Sequence, residues 1–217
     1  MIRLTIITCL LLLTNLYTAS AKKNPEKEEW NNGTLVLKNK ETLSGKIYYN
    51  VEYDLVQIKL EDQIKTFSPH TVHYFQYFDE AREIKRLYAA LEKKPVKHKK
   101  SGITFYEVLL GGELVLLRKE EKHFIPEYEI LFNTIDLVPS MASNHYVLVK
   151  GNLVSFQNFQ KDILPLMADH AEDIESFIKR SNLYIHDFVD QILIIDYYNF
   201  LKDPFYKRLE DQIVVKE

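Results

Sequence analysis

The feature that most constrains this chain is an alternation of apolar and polar residues running from Gly33 to Phe78. Leu35 and Leu37 share one face of an extended segment. Leu43, Gly45, Ile47 and Tyr49 share the next, and Val56, Ile58 and Leu60 follow. Successive side chains of a strand point to opposite sides, so period two marks strands with one buried face. The breaks, Asn39-Lys40-Glu41 and Asn50–Asp54, are short and polar. Ile64–Phe67 reads as a fourth strand ended by Pro69, and Val72–Phe78 as a fifth. This pattern predicts an antiparallel meander. Gly45 lies mid-strand, where a strand bending tightly over its neighbour needs a residue without a Cβ. That fits an SH3-like or Sm-like small barrel over residues 33–78, and a plain hairpin meander fits nearly as well.

Beyond the meander the pattern is mixed. Ile84, Leu87, Tyr88 and Leu91 fit a helix face, while Arg86-Leu87-Tyr88 also fits the start of a strand. Ile103–Leu110 and Glu113–Lys119 flank Gly111-Gly112 and predict a hairpin with a two-residue turn. Residues 120–144, with Pro126 and Pro139, read as irregular. Tyr146–Val149 and Leu153-Val154 around Lys150-Gly151-Asn152 predict a last hairpin. After Ser155 the chain turns helical. One helix is expected from about Phe159 to Ala168, kinked at Pro165, and a second over Ala171–Arg180 with Asp169 placed to cap it. A third spans roughly His186–Leu201 and is apolar over most of its surface, so it packs against the domain or meets a partner. Pro204 stops it.

The expected fold class is α+β: an N-terminal antiparallel β meander, further hairpins, and a C-terminal helical segment. The expected divisions are a signal peptide (1–21), a flexible leader (22–32), a meander or small barrel (33–79), a second β-rich part (80–155), a helical part (156–203) and a tail (204–217).

The first segment explains the export expectation. Arg3 precedes an apolar run from Leu4 to Leu13, and Ala19-Ser20-Ala21 supplies small residues for cleavage between Ala21 and Lys22. The run of about ten residues is short of the roughly 20 that span a bilayer. The only cysteine, Cys9, lies inside this run with no lipoprotein cleavage box before it. Cleavage would leave a chain without disulfides, thiolate metal sites or a cysteine nucleophile, so stability must come from a packed core. The 28 basic and 31 acidic residues give a net charge of −3, and removal of Arg3 takes it to −4. Such a balance argues against nucleic acid as a partner. No later stretch is apolar enough for a transmembrane helix.

Residues that might carry chemistry have plainer readings beside them. The seven histidines include His70 and His73, three apart. On a strand they face opposite sides and would not chelate one metal. His123 and His145 are without a motif. His170 lies among Asp169, Glu172 and Asp173, where acidic residues suit a helix N-terminus. A strained G-x-S-x-G turn is absent, and the six glycines form no phosphate-binding array. No cofactor is expected. A carboxylate pair that converges in space leaves open an enzyme, a hydrolase with a spatially assembled carboxylate or histidine site. The loop Lys93–Lys100 carries five lysines and one histidine. Lys97, Lys99 and Lys100 are candidate contacts to phosphate, lipopolysaccharide or an acidic partner, though a solvated loop explains them too. Tyr74-Phe75-Gln76-Tyr77-Phe78 has rings on both faces, as expected of a strand buried between layers. Trp30 is expected to plug one end of the meander.

Three segments together carry a resemblance: GTLVLKNKETLSGKIYYNVEYDLVQIK with IKTFSPHTVHYFQYFDE, FYEVLLGGELVLLRK, and FVDQILIIDYYN. The chain resembles a group of uncharacterised secreted proteins of the Bacteroidota, a domain of unknown function, over most of residues 30–200. These open with a signal peptide and a β meander and close in helices ending on a Tyr-Asn pair, here Tyr198-Asn199. The resemblance implies a periplasmic or envelope location and no activity. Tyr198 is expected to pack, and Asn199 to bond backbone near the helix end. The combined expectation is a secreted, periplasmic or extracellular binding or interaction module whose partner is an envelope protein or surface component.

Overall fold

The computed structural model describes residues 29–61, 63–93, 102–121, 142–203 and 205–206. Ten strands form one open antiparallel sheet. They are β1 (Asn31–Leu37), β2 (Thr42–Asn50), β3 (Leu55–Leu60), β4 (Gln63–Phe67), β5 (Val72–Asp79), β6 (Ile84–Lys93), β7 (Gly102–Leu110), β8 (Val115–Glu121), β9 (Ala142–Val149) and β10 (Asn152–Ser155). Their spatial order is β10-β9-β8-β7-β6-β5-β1-β2-β3-β4, so the one departure from a simple meander is that β5 pairs with β1 instead of β4.

The first five strands fall where the alternation places them, but their ladders do not close into a barrel. The only described partner of β4 is β3, and the sheet stays open there. At Gly45 the strands pass so closely that a Cβ would lie 2.3 Å from the Lys59 carbonyl oxygen of β3. The ambiguous stretch after Asp79 is a strand. In β6, Tyr88 pairs with Phe75 on one side and Glu107 on the other, and neighbours on both sides outweigh the helical spacing of its apolar residues. The β7–β8 hairpin has a longer connection, Gly111–Leu114, than the two-residue turn expected from Gly-Gly. Between β9 and β10, Lys150 and Gly151 both have positive φ, 48° and 76°, as a primed two-residue turn requires.

The helical part begins differently from expectation. A π-helical turn over Phe159–Ile163 leads into a 3-10 stretch over Leu164–His170, with Pro165 near its start. A proline there forfeits no helical hydrogen bond. Two α-helices follow, α1 (Ala171–Arg180) and α2 (Phe188–Lys202). Asp187 caps α2, its carboxylate accepting from the amides of Val189 (2.9 Å) and Asp190 (3.1 Å). Asp169, expected to cap α1, instead accepts from the Tyr198 hydroxyl (3.0 Å) and the Lys202 ammonium (2.7 Å). His170 occupies the cap position with no side-chain cap bond.

Two buried clusters result. The first, with Leu35, Ile47, Ile58, Phe75, Tyr88 and Phe105, is made by the sheet curling on itself. The second, with Leu114, Leu116, Val147, Ile163, Ile194 and Tyr198, is made by helices covering β7–β9. Trp30 stands outside both and packs on Tyr48 at 5.7 Å. Tyr48 alternates with buried Ile47 and so lies on the opposite face. The aromatic run in β5 is buried on one side alone: Phe75 is fully enclosed, whereas Phe78 is 47% exposed.

Candidate functional site

The register defines a row of side chains across the inner face of the sheet: Leu43, Leu35, Phe75, Tyr88, Glu107, Arg118 and His145, each paired with the next. Paired residues in antiparallel strands share a face. The row therefore starts in the first cluster, crosses a charged stretch, and ends at the second.

The charged stretch is a closed ion network. Arg86, in β6, grips Glu107 with two parallel bonds, Nε to Oε1 at 2.8 Å and Nη2 to Oε2 at 2.9 Å, and its Nη2 also reaches Glu120 at 2.8 Å. Arg118 donates Nε to the same Glu107 Oε2 at 2.8 Å. Asp79 accepts from the Arg82 amide (3.1 Å) and guanidinium (3.0 Å) and lies 3.8 Å from Arg86 Nη1. Glu107 is 4% exposed. Arg86 also sits 5.5 Å from the centroid of the Tyr88 ring.

The electrostatics follow from this geometry. Burial alone would raise the Glu107 carboxyl, but Arg86 and Arg118 outweigh it and hold the group below the usual carboxylate range. Burial would likewise lower Arg86, and the Glu107 hydrogen bonds carry it upward instead. Burial first, then the neighbouring Tyr77 phenol and the Glu107 carboxylate, push the Tyr88 phenol up. Glu107 and Arg86 are thus fixed in their ionised forms. A carboxylate already accepting from two arginines has no proton to give and little free acceptor capacity, so this network is not a general acid or base.

A second polar junction lies at the β2–β3 turn. Asp54, at a positive φ of 54°, accepts from the Tyr49 hydroxyl (2.7 Å), the Thr104 hydroxyl (2.6 Å), the Phe105 amide (3.3 Å) and the Lys119 ammonium (2.8 Å). It ties the meander to β7 and β8. Tyr49 packs 4.9 Å from Tyr88 and 5.7 Å from Phe105.

At the far end, α2 is joined to the sheet by Asn199. Its Oδ1 accepts from the Leu114 amide (2.9 Å), and its Nδ2 donates to the carbonyls of Gly111 (2.8 Å) and Leu114 (3.0 Å). Asn199 does bond backbone, as expected, but that of the β7–β8 connection rather than of its own helix end. Gly112, with φ of 118°, passes so close that a Cβ would lie 2.5 Å from Asn199 Cγ. Tyr198 packs as expected, and burial followed by its bond to Asp169 pushes its phenol up to about 12.

One side of α2 is apolar. Val189, Leu193, Tyr197 and Phe200 recur along it at spacings of four, four and three. Leu193 and Tyr197 are half-buried, Tyr197 against the second cluster, and the two ends of the row face outward. Val189 is 62% and Phe200 41% exposed, and Tyr184 and Phe205 are exposed nearby. Tyr197 is stacked on Phe177 of α1 at 4.1 Å. On the opposite face of the sheet a shallow groove of about 390 Å³ runs between Tyr74 and Gln76 of β5 and Leu87 and Ala89 of β6, with His73 at its border.

Comparison with protein-family models, with curated proteins and with solved structures gives no match.

Of the residues singled out in the sequence, Ala21, Lys22, Lys97, Lys99, Lys100 and His123 lie outside the described residues. The other candidate histidines are not brought together. His70 lies in the β4–β5 connection and His73 in β5. His170 pairs with Asp173 at 3.1 Å, and His145 stands beside Arg118. Among the described residues no three His, Cys, Asp or Glu side chains gather as a metal site, and no helix is long and apolar enough to cross a membrane. Sequence reasoning missed the ion network, although one signal was present: Glu107 lies two residues from Phe105 in a strand and so shares its buried face.

Proposed function

We propose that the chain is an exported periplasmic or envelope protein that works as a non-catalytic binding or interaction module. The observation that carries this reading is the apolar outward side of α2, with Val189 62% exposed on a helix otherwise anchored to the sheet. Exposed apolar rows on rigid elements mark contact surfaces more often than chemistry. The ion network supports the same reading, because its carboxylates are all committed to arginines. The signal segment and the resemblance to secreted Bacteroidota proteins support the location. The order β5-β1-β2-β3-β4 supports reading the first five strands as an opened SH3-like barrel, a scaffold that serves binding.

The test is site-specific photo-crosslinking in the native envelope fraction. A photoreactive residue placed at Val189 is expected to trap one discrete envelope protein, and one placed at Lys65 on β4 is expected to trap none. Equal patterns at both positions, or no adduct at Val189, would remove the helix face as the contact surface.

A further inference from the structure

The row that crosses the sheet ends on a histidine held in an unusual setting. The His145 ring lies 4.5 Å from the Phe188 ring, in the first turn of α2, and 6.4 Å from Phe156. Phe156 and Phe188 meet each other at 5.6 Å, so the three rings form one contact between β9, the segment after β10, and the start of α2. The Phe156 amide also donates to the His145 carbonyl at 3.0 Å.

The charges around this ring are unfavourable to a second cation. From β8, Arg118 is its direct cross-strand partner. The start of α2 presents the positive end of a helix dipole. From β7, Glu107 pulls the other way, but both its oxygens are held by Arg86 and Arg118. The nearby α2 carboxylates are also occupied: Asp187 on the Val189 and Asp190 amides, and Asp190 on the Tyr184 amide at 2.7 Å. An imidazolium gains something from aromatic faces. Against that stand partial burial and Arg118.

We propose that His145 is an acid-operated latch on the N-terminal end of α2: neutral, it is a flat surface under Phe188 and Phe156; protonated, it sets a cation against Arg118 and the helix end and frees that turn.

The sign follows from linkage. Burial first and Arg118 second depress His145 below its ordinary value, with Glu107 in opposition. Its contribution to docking is complete above about pH 6.5 and is lost as pH falls from there toward the folded-state value. The latch operates whether or not the outward side of α2 meets a partner, and its test reads the helix alone.

The experiment is hydrogen exchange of the full chain at pH 7.5 and pH 5.0, corrected for intrinsic exchange and resolved by peptide. Protection of residues 191–195 is expected to fall severalfold on acidification, because burial and Arg118 hold the His145 ring below its ordinary value, while β1 and β2 hold theirs. His145→Phe keeps the rings and removes the proton site, and its α2 protection should not respond to pH. Should that variant fail to fold, His145→Gln serves, with weaker protection that is equal at both pH values. An NMR titration should place His145 below the ordinary histidine value of about 6.5. The latch is overturned if α2 protection in the parent chain is unchanged, if the non-titrating variant loses as much as the parent, or if His145 titrates at or above about 6.5.

Discussion

The two buried clusters solve the same problem by different means. The first is closed by the sheet alone: its strands curl until Tyr49, Phe75, Tyr88 and Phe105 meet, and one carboxylate, Asp54, fastens the turn that arrives there. The second is closed by helices laid over β7–β9, and one amide, Asn199, fastens them. Both fasteners are polar side chains bonded to residues distant in sequence, Asp54 to β7 and β8 and Asn199 to the backbone of the connection between them. Apolar packing sets how strongly each lobe holds, and the fasteners set which strand lies where. Between the lobes the inner face is charged instead of apolar, so Glu107 and its arginines join two cores that do not merge.

That joint is where the comparison breaks most easily. Glu107→Leu takes from Arg86, whose side chain is 11% exposed, its two-bond partner and leaves it Glu120 and Asp79, and should cost about 3 kcal/mol in urea unfolding. Arg86→Met combined with Glu107→Leu should recover part of it, because Glu120 keeps Arg118 at 3.5 Å and Asp79 keeps Arg82 at 3.0 Å when the central pair is apolar. The pH dependence has a definite sign. The folded Glu107 lies below its ordinary value of 4.5, so its contribution is present above that pH and is lost as pH falls through the folded value. Glu107→Gln should therefore flatten the acid limb of stability measured by circular dichroism below about pH 4.5.

The helical lobe comes next. Asn199→Ala leaves the buried Leu114 amide and two carbonyls unpaired and should cost about 2–3 kcal/mol. Gly112→Ala should cost about 2 kcal/mol from its clash with Asn199 and its positive φ. Their double variant should lose less than the sum, since the clash disappears with the amide. Strict additivity in denaturant melts would mean that the two positions do not touch.

The sheet-only lobe should respond less to loss of its fastener. Asp54 is partly open to solvent, and Asp54→Ala should cost about 1–2 kcal/mol while loosening β7 more than β1 in hydrogen exchange. Smallest of all is Val189→Ser, expected to stay within about 0.5 kcal/mol of the parent chain by thermal melting. A larger loss there would make the outward side of α2 a structural surface instead of a contact surface.

Much of the first lobe was legible in the sequence because the inward positions from Leu35 through β3 are apolar or glycine and its breaks are short. The β6 segment was not, because Ile84, Leu87, Tyr88 and Leu91 satisfy a helical period while Arg86, Tyr88 and Ala90 satisfy period two. Only pairing with β5 and β7 decides between them. The ion network was illegible for a related reason. An inward glutamate is tolerable only when cations face it, and Arg86 and Arg118 come to face Glu107 through register, which no local pattern records. The role of Asn199 was half legible: a polar side chain in an apolar helix invites a backbone partner, but that partner lies 85 residues earlier.

The bond between Asn199 and Leu114 also bears on the order of events during synthesis. A ribosome that has released residue 121 has already delivered every member of the first cluster and both ends of the Asp54 junction. The connection at Gly111–Leu114 then waits for a partner that emerges almost eighty residues later. Non-local pairing of that kind delays folding. A nascent chain would carry one finished lobe and one open hairpin whose apolar side still faces water. That interval, before α2 arrives, is when a holdase has something to bind.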